Sequence, residues 1–139
     1  MSPTSINPHL GFNGTCAEAF AFYAEVLGGK ITFSMTHGES PMKDQVPVEL
    51  HGSVMHATLA VGNFFIMGGD APPHMYKAPV GYCTNLQFST VDEGARVFAA
   101  LRQGGSDIMP FGETFWSKGF GMCVDRFGQH WMVNCGELM

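Results

Sequence analysis

A short strand pattern occurs twice in this chain, and each copy opens the same succession of elements. Asn7-Pro8-His9-Leu10-Gly11-Phe12 is echoed by Cys83-Thr84-Asn85-Leu86-Gln87-Phe88. Both alternate small or polar residues with apolar ones, as a half-buried strand does. A capping-box spacing follows each copy, Thr15-x-x-Glu18 and Thr90-x-x-Glu93. In such a box the threonine oxygen accepts from a free backbone N–H and the glutamate reaches back to the cap. The helices so opened carry apolar residues at helical spacing: Cys16, Phe20, Tyr23 and Leu27 in the first, Val91, Ala95, Phe98 and Leu101 in the second. Gly28-Gly29 and Gly104-Gly105 close them, which suits a left-handed C-terminal cap.

Three short strands are expected after each helix. In the first half they fall at about Lys30–Met35, Ser53–Val61 and Phe64–Met67; in the second, at about Asp107–Phe115, Gly119–Asp125 and His130–Cys135. Tight turns at Gly62-Asn63 and Asp125-Arg126-Phe127-Gly128 join the last two strands of each half. The first half also carries a longer loop, His37 to Gly52. The reading is α+β: two tandem βαβββ modules forming a curled mixed sheet around a cleft. Residues 1–139 make one domain, with module 1 at about 5–70 and module 2 at about 80–136, joined by a Pro-rich loop.

Composition narrows the function classes. Only 14% of residues are charged, and 12 acids against 7 scattered bases give a net charge of -5. No basic stripe is available to neutralise phosphates or an anionic membrane surface, so nucleic acid and membrane partners are not expected. No apolar run approaches the ~18 residues of a membrane span, and the N-terminus lacks the regions of a signal peptide. A cytoplasmic location is expected. Cys16, Cys83, Cys123 and Cys135 form no C-x-x-C pair and read as small buried hydrophobes rather than a disulfide framework.

Pro8-His9-Leu10-x-Phe12-x-Gly14, Phe22-Tyr23-x-x-x-Leu27-Gly28-Gly29, Val54-Met55-His56-Ala57, Phe115-Trp116 and Asp125-x-Phe127-Gly128-x-x-Trp131 span nearly the whole chain. On these motifs and the duplicated module, the chain resembles the vicinal oxygen chelate superfamily of glyoxalases, extradiol dioxygenases and fosfomycin- and bleomycin-resistance proteins. More narrowly it resembles the PhnB-like branch, often labelled after a demethylubiquinone methyltransferase. No Gly-rich turn follows a strand and opens a helix, as a nucleotide-type cofactor would want. Metal-dependent members of the superfamily place four ligands on cavity-facing strand positions, two per half. The internal repeat puts those positions at His9 (or Asn7, if the strand slips), Ile66, Asn85 and Met132. Ile66 cannot ligate, and a transition metal wants three or four His, Cys or carboxylate ligands. No cofactor is expected and no metal ligand is assigned, although His56 keeps a divalent metal open.

The remaining candidates gather around the expected cleft. His9 can act as a general base or as a hydrogen-bond partner of a ligand; the alternative is a wall histidine satisfied by Asn85 or water. His56 stands in an alternating strand and reads either as a structural group or as a cleft residue. Glu113, near the aromatic Trp116, can hold or move a proton; the alternative is a solvated glutamate. Trp131 reads as core, whereas Trp116 is the better cleft residue. Met35, Met55, Met67, Met122 and Met132 can line an adaptable apolar pocket or simply fill core. His37, His51 and His74 fall in loops and are expected to be solvated, and His130 is ambiguous.

The expectation is therefore a protein that binds or transforms a small, largely apolar molecule without metal. His9 and Glu113 are its candidate catalytic residues, and His9, His56, Asn85, Trp116 and Met132 its ligand-binding set. In this expectation His9 and Asn85 face each other across a pseudo-twofold axis. Two alternatives stand beside it: a metal-dependent glyoxalase-type lyase, isomerase or dioxygenase, and a resistance protein that sequesters a toxic compound. A homodimer is expected, since so charge-poor a chain must cover considerable apolar surface.

Overall fold

The chain's alternating segments become strands and its 3.6-period segments become helices. The structure is a computed structural model that describes residues 1–137. Its backbone divides into two compact units, Met1–Lys77 and Ala78–Met139, here modules 1 and 2. Module 1 runs β1 (His9–Phe12), α1 (Cys16–Leu27), β2 (Lys30–Thr36), β3 (Val54–Val61) and β4 (Phe64–Asp70); module 2 runs β5 (Thr84–Phe88), α2 (Val91–Arg102), β6 (Ser106–Gly112), β7 (Gly119–Val124) and β8 (His130–Cys135). The hydrogen-bonded order is β1-β4-β3-β2 in one sheet and β5-β8-β7-β6 in the other. In each, the first strand lies parallel to the last and the remaining pairs are antiparallel. These are two α+β modules of the expected βαβββ order, with a four-stranded mixed sheet in each.

Each helix covers one face of its own sheet. In module 1 the covered side chains include Leu10, Phe12, Phe20, Tyr23 and Leu59, all at 2% exposure or less. In module 2 they include Val97, Phe98, Leu101, Trp131 and Val133. Burying one such aromatic or aliphatic side chain contributes about 1.5–3 kcal/mol. Close approach of helix to sheet depends on glycine at matched places. A methyl group added at Gly68 would lie 2.8 Å from the Phe20 ring, and one at Gly121 would lie 2.7 Å from Phe98. The α2 stripe is rotated from the expected one: Gly94, Val97, Phe98 and Leu101 are buried, whereas Val91 is exposed and Ala95 half-buried. Gly94 has no side chain to register as apolar, yet its bareness lets α2 sit against Cys135 and Val133.

The two helix starts are built differently, and neither completes the expected box: at α2 the Glu93 carboxylate accepts from the Thr90 hydroxyl at 2.9 Å rather than from its backbone N–H. Thr90 Oγ1 accepts from the Glu93 N–H at 3.3 Å, but Thr15 makes no side-chain cap bond. The N–H groups on either side of Thr15 are taken by Asp70, 8% exposed at the end of β4. Asp70 Oδ1 accepts from the N–H groups of Gly14 and Cys16, both at 3.0 Å, and Oδ2 accepts from the N–H of Val54 at 2.8 Å. Module 2 has Cys135 at the matching register, since Phe12 pairs with Asp70 and Phe88 with Cys135. A thiol cannot replace a carboxylate there, so α2 relies on its own threonine.

Other departures are local. β6 ends at Gly112 rather than Phe115, because the Thr114 N–H turns back to donate to the Ser117 carbonyl at 2.9 Å. His51 is half-buried rather than solvated; its Nε2 lies 2.9 Å from the Lys43 carbonyl and 3.0 Å from that of Val46, pinning the loop between β2 and β3. Trp131 is core, with its indole N–H donating to Asp125 at 2.8 Å. Cys16, Cys123 and Cys135 are buried and no described cysteine is bonded to another. Burial, and then the nearby carboxylates, push the Cys16 and Cys123 thiols up to about 12.

Replacing Asp70 by Ala strands three backbone N–H groups and is expected to cost about 3 kcal/mol or more of unfolding free energy. Thr90→Ala should cost about 1 kcal/mol, whereas Thr15→Ala should be near neutral. Chemical denaturation of the three variants measures all of this; equal losses for the two threonines would contradict the capping scheme.

Candidate functional site

Each sheet has one face that its own helix leaves uncovered, and the strand registers state which residues share it. In module 1, His9 pairs with Met67, Met67 with Thr58, and Thr58 with Phe33. These four form a row across all four strands, with His56 and Met35 paired in a second row. In module 2 the matching row is Asn85, Met132, Met122 and Met109. Both faces are therefore rich in thioethers, with one polar group at the outer strand of each row. Met35, Met67, Met122 and Met132 are half-buried on these faces.

This register corrects one expected position. Ile66 is 5% exposed and paired with Leu59 on the helix-covered face; the residue beside His9 is Met67. The cause is a one-residue slip in aligning the halves at Gly62 and Gly128. Both last strands begin two residues after their glycine, but the row residue is the fourth of β4, Met67, and the third of β8, Met132. In a strand a slip of one residue exchanges the two faces.

Around His9 the geometry is specific. Its ring lies 5.9 Å from that of His56, with the planes 26° apart. His56 is also 6.0 Å from Phe33, and its Nε2 is 3.2 Å from Thr58 Oγ1. His9 is exposed, and among the described residues its imidazole has no hydrogen-bond partner. In module 2, Asn85 donates to Gln87 Oε1 at 3.2 Å. Gln87 in turn donates to the Gly136 carbonyl at 2.9 Å. The neighbouring Asn134 Oδ1 is buried without a partner. Gln87 and Asn134 pair across β5 and β8; the alternation that placed Asn85 and Met132 on one face also carries these two, so they were findable.

The remaining candidates separate from these rows. Glu113 is exposed just beyond β6. Trp116 stands outside the strands, edge-on to Phe115 at 4.8 Å and to Phe120 at 5.2 Å, beside a small pocket to which Glu137, not Glu113, contributes.

A divalent metal, which the superfamily resemblance implies for some members, does not suit these residues. His9 and His56 bring only two imidazoles together, short of the three or four ligands that a transition metal wants. Met67 and Met132, at the row positions beside His9 and Asn85, offer soft thioethers rather than nitrogen or carboxylate donors. Among the described residues no three His, Cys, Asp or Glu side chains gather as a ligand set.

A family model described as 3-demethylubiquinone-9 3-methyltransferase matches residues 4–134. The chain is 34% identical to protein YjdN of Escherichia coli K12 over 137 residues, 93% of each chain. Among solved structures it is similar to PA1353 of Pseudomonas aeruginosa, at 42% identity and TM-score 0.88 over 96% of this chain and 98% of that one. It is also similar to the PhnB protein of Bacillus cereus, at 25% identity and TM-score 0.79 over 95% and 99%. The chain belongs to the family described as 3-demethylubiquinone-9 3-methyltransferase, in the PhnB-like branch of the vicinal oxygen chelate fold.

Proposed function

We propose that this PhnB-like protein holds a small, largely apolar molecule against the uncovered face of its module 1 sheet, without a metal ion. One arrangement carries the reading: the stacked His9 and His56 rings set among Phe33, Met35 and Met67. Flexible thioethers and aromatic rings supply apolar contact that adapts to shape. A neutral His9 offers one donor and one acceptor, and no described residue uses either, so they are available to a carbonyl or hydroxyl of the ligand. In module 2, Asn85 and Met132 supply the matching polar and apolar pair. With no hydrogen-bond partner among the described residues, the His9 imidazole is also the group placed to take a proton from a bound molecule. Glu113, exposed to solvent, is the second proton-handling candidate.

The test is native mass spectrometry of protein taken directly from cells, compared with the His9→Ala variant. The ligand is expected to be retained by the parent and lost by the variant, at a cost of roughly 1–3 kcal/mol in binding. The fold should survive, since His9 is exposed. A large loss of stability with the ligand retained would make His9 structural instead.

Chelator treatment of freshly purified protein should leave the melting temperature unchanged. A bound metal would add stabilisation that grows with the logarithm of its concentration over its dissociation constant. A clear fall on chelation would restore the metal-dependent reading.

Two copies are proposed to associate. Phe64 and Phe115 are 77% and 96% exposed, large apolar surfaces for a chain so poor in charge. Light scattering is expected to give the mass of a dimer; a monomer mass across micromolar dilution would end this part of the reading.

A further inference from the structure

We propose that module 2 carries a binding pocket beside Trp116 for a small zwitterion with a flat apolar body, the charge pattern of an aromatic α-amino acid. The pocket has a volume of about 330 Å³, at the lower end of the range for small-molecule sites. Three chain segments build it: Ser89 and Val91 where β5 passes into α2, Trp116 to Lys118 between β6 and β7, and Glu137 beyond β8. Nothing in it belongs to the methionine rows, and the proposal does not rest on the sheet-face reading.

The apolar wall is held in place before any ligand arrives. Trp116, 36% exposed, is set edge-on against Phe115 and Phe120, which leaves indole surface free. The next residue anchors its backbone. Ser117 is 8% exposed; its hydroxyl lies 2.8 Å from the Gly119 carbonyl and 3.0 Å from that of Cys135, and its N–H donates to Thr114 Oγ1 at 3.1 Å. An indole carried on anchored backbone offers a flat molecule an apolar contact surface.

Charge sets the ligand class. Lys118 and Glu137 both line the pocket, and among the described residues neither side chain has an ion pair or hydrogen bond. A ligand bearing only a carboxylate would suit Lys118 but meet Glu137, and one bearing only an ammonium would meet the reverse conflict. A molecule carrying both groups satisfies both walls, and an apolar ring beside them lies on Trp116. The Ser89 hydroxyl adds a neutral donor or acceptor at the same rim.

The experiment titrates L-phenylalanine, hydrocinnamate (no ammonium) and phenethylamine (no carboxylate) while reading Trp116 fluorescence. Trp131, fully buried and bonded to Asp125, is shielded from a pocket ligand, and Trp116→Phe should abolish the response. Phenylalanine is expected to bind about three- to fivefold more tightly than either truncated probe, the scale of one exposed charge contact. In Lys118→Gln, phenethylamine should equal phenylalanine; in Glu137→Gln, hydrocinnamate should. Both substituted residues are exposed, and unchanged circular dichroism confirms that the variants fold. Equal affinity for all three probes would overturn the proposal, as would no Trp116 response to phenylalanine or discrimination unaltered in both charge variants.

Discussion

Module 1 is organised around one buried carboxylate. Asp70 ends β4, and its two oxygens take three backbone N–H groups: two at the start of α1 and one at the start of β3. Those groups come from two places in the chain, and the most distant lies 56 residues from the aspartate. A carboxylate among backbone donors makes charge-assisted bonds, which are shorter and stronger than neutral ones. By fixing the entry to α1, Asp70 fixes the face that the helix covers. What remains uncovered is the face that carries His9, Met67, Thr58 and Phe33. In module 2 a second aspartate works at the opposite end of the last strand. Asp125 is 3% exposed and accepts from the N–H groups of Phe127 and Gln129 and from the Trp131 indole. It ties the β7–β8 turn to the core.

Element order and type were legible because local pattern and global fold agree in both halves. What was not legible involves distance along the chain. The Thr15-x-x-Glu18 spacing meets every local requirement of a capping box, yet Thr15 makes no cap bond and Asp70, far along the chain, takes the N–H groups of Gly14 and Cys16 on either side of it. The α2 stripe was misjudged because Gly94 belongs to the buried face through having no side chain. Ile66 stands in for Met67 when the halves are aligned at Gly62 and Gly128, because the first strand pairs one position further along β4 than along β8, a long-range register that the glycines do not report. His51 looked like a loop residue and is one, but the loop folds back on it. For the candidate site, His9, His56, Asn85 and Met132 were read onto strands and lie on uncovered faces. The neighbouring Gln87 and Asn134 were overlooked, although they share the same alternation.

The chemistry of these faces separates fold from function. Family membership accounts for the βαβββ module, but a fold of this kind hosts unrelated activities. Here the row positions hold an imidazole and an amide, each beside a thioether. Thioethers and stacked rings favour apolar contact and hydrogen bonding over the polarising chemistry of a hard cation. The same reasoning separates the Trp116 pocket from the rows: its walls carry opposite charges and an indole, and no methionine.

The central claim, that the His9 face receives a largely apolar molecule without metal, is tested most directly by diffraction from crystals of protein purified with nothing added. Data should be collected above the absorption edges of the common transition metals. The account predicts density for an organic molecule against Phe33 and Met67, with a polar atom within hydrogen-bond distance of His9, and no anomalous peak. An anomalous peak coordinated by His9 and His56 would contradict it.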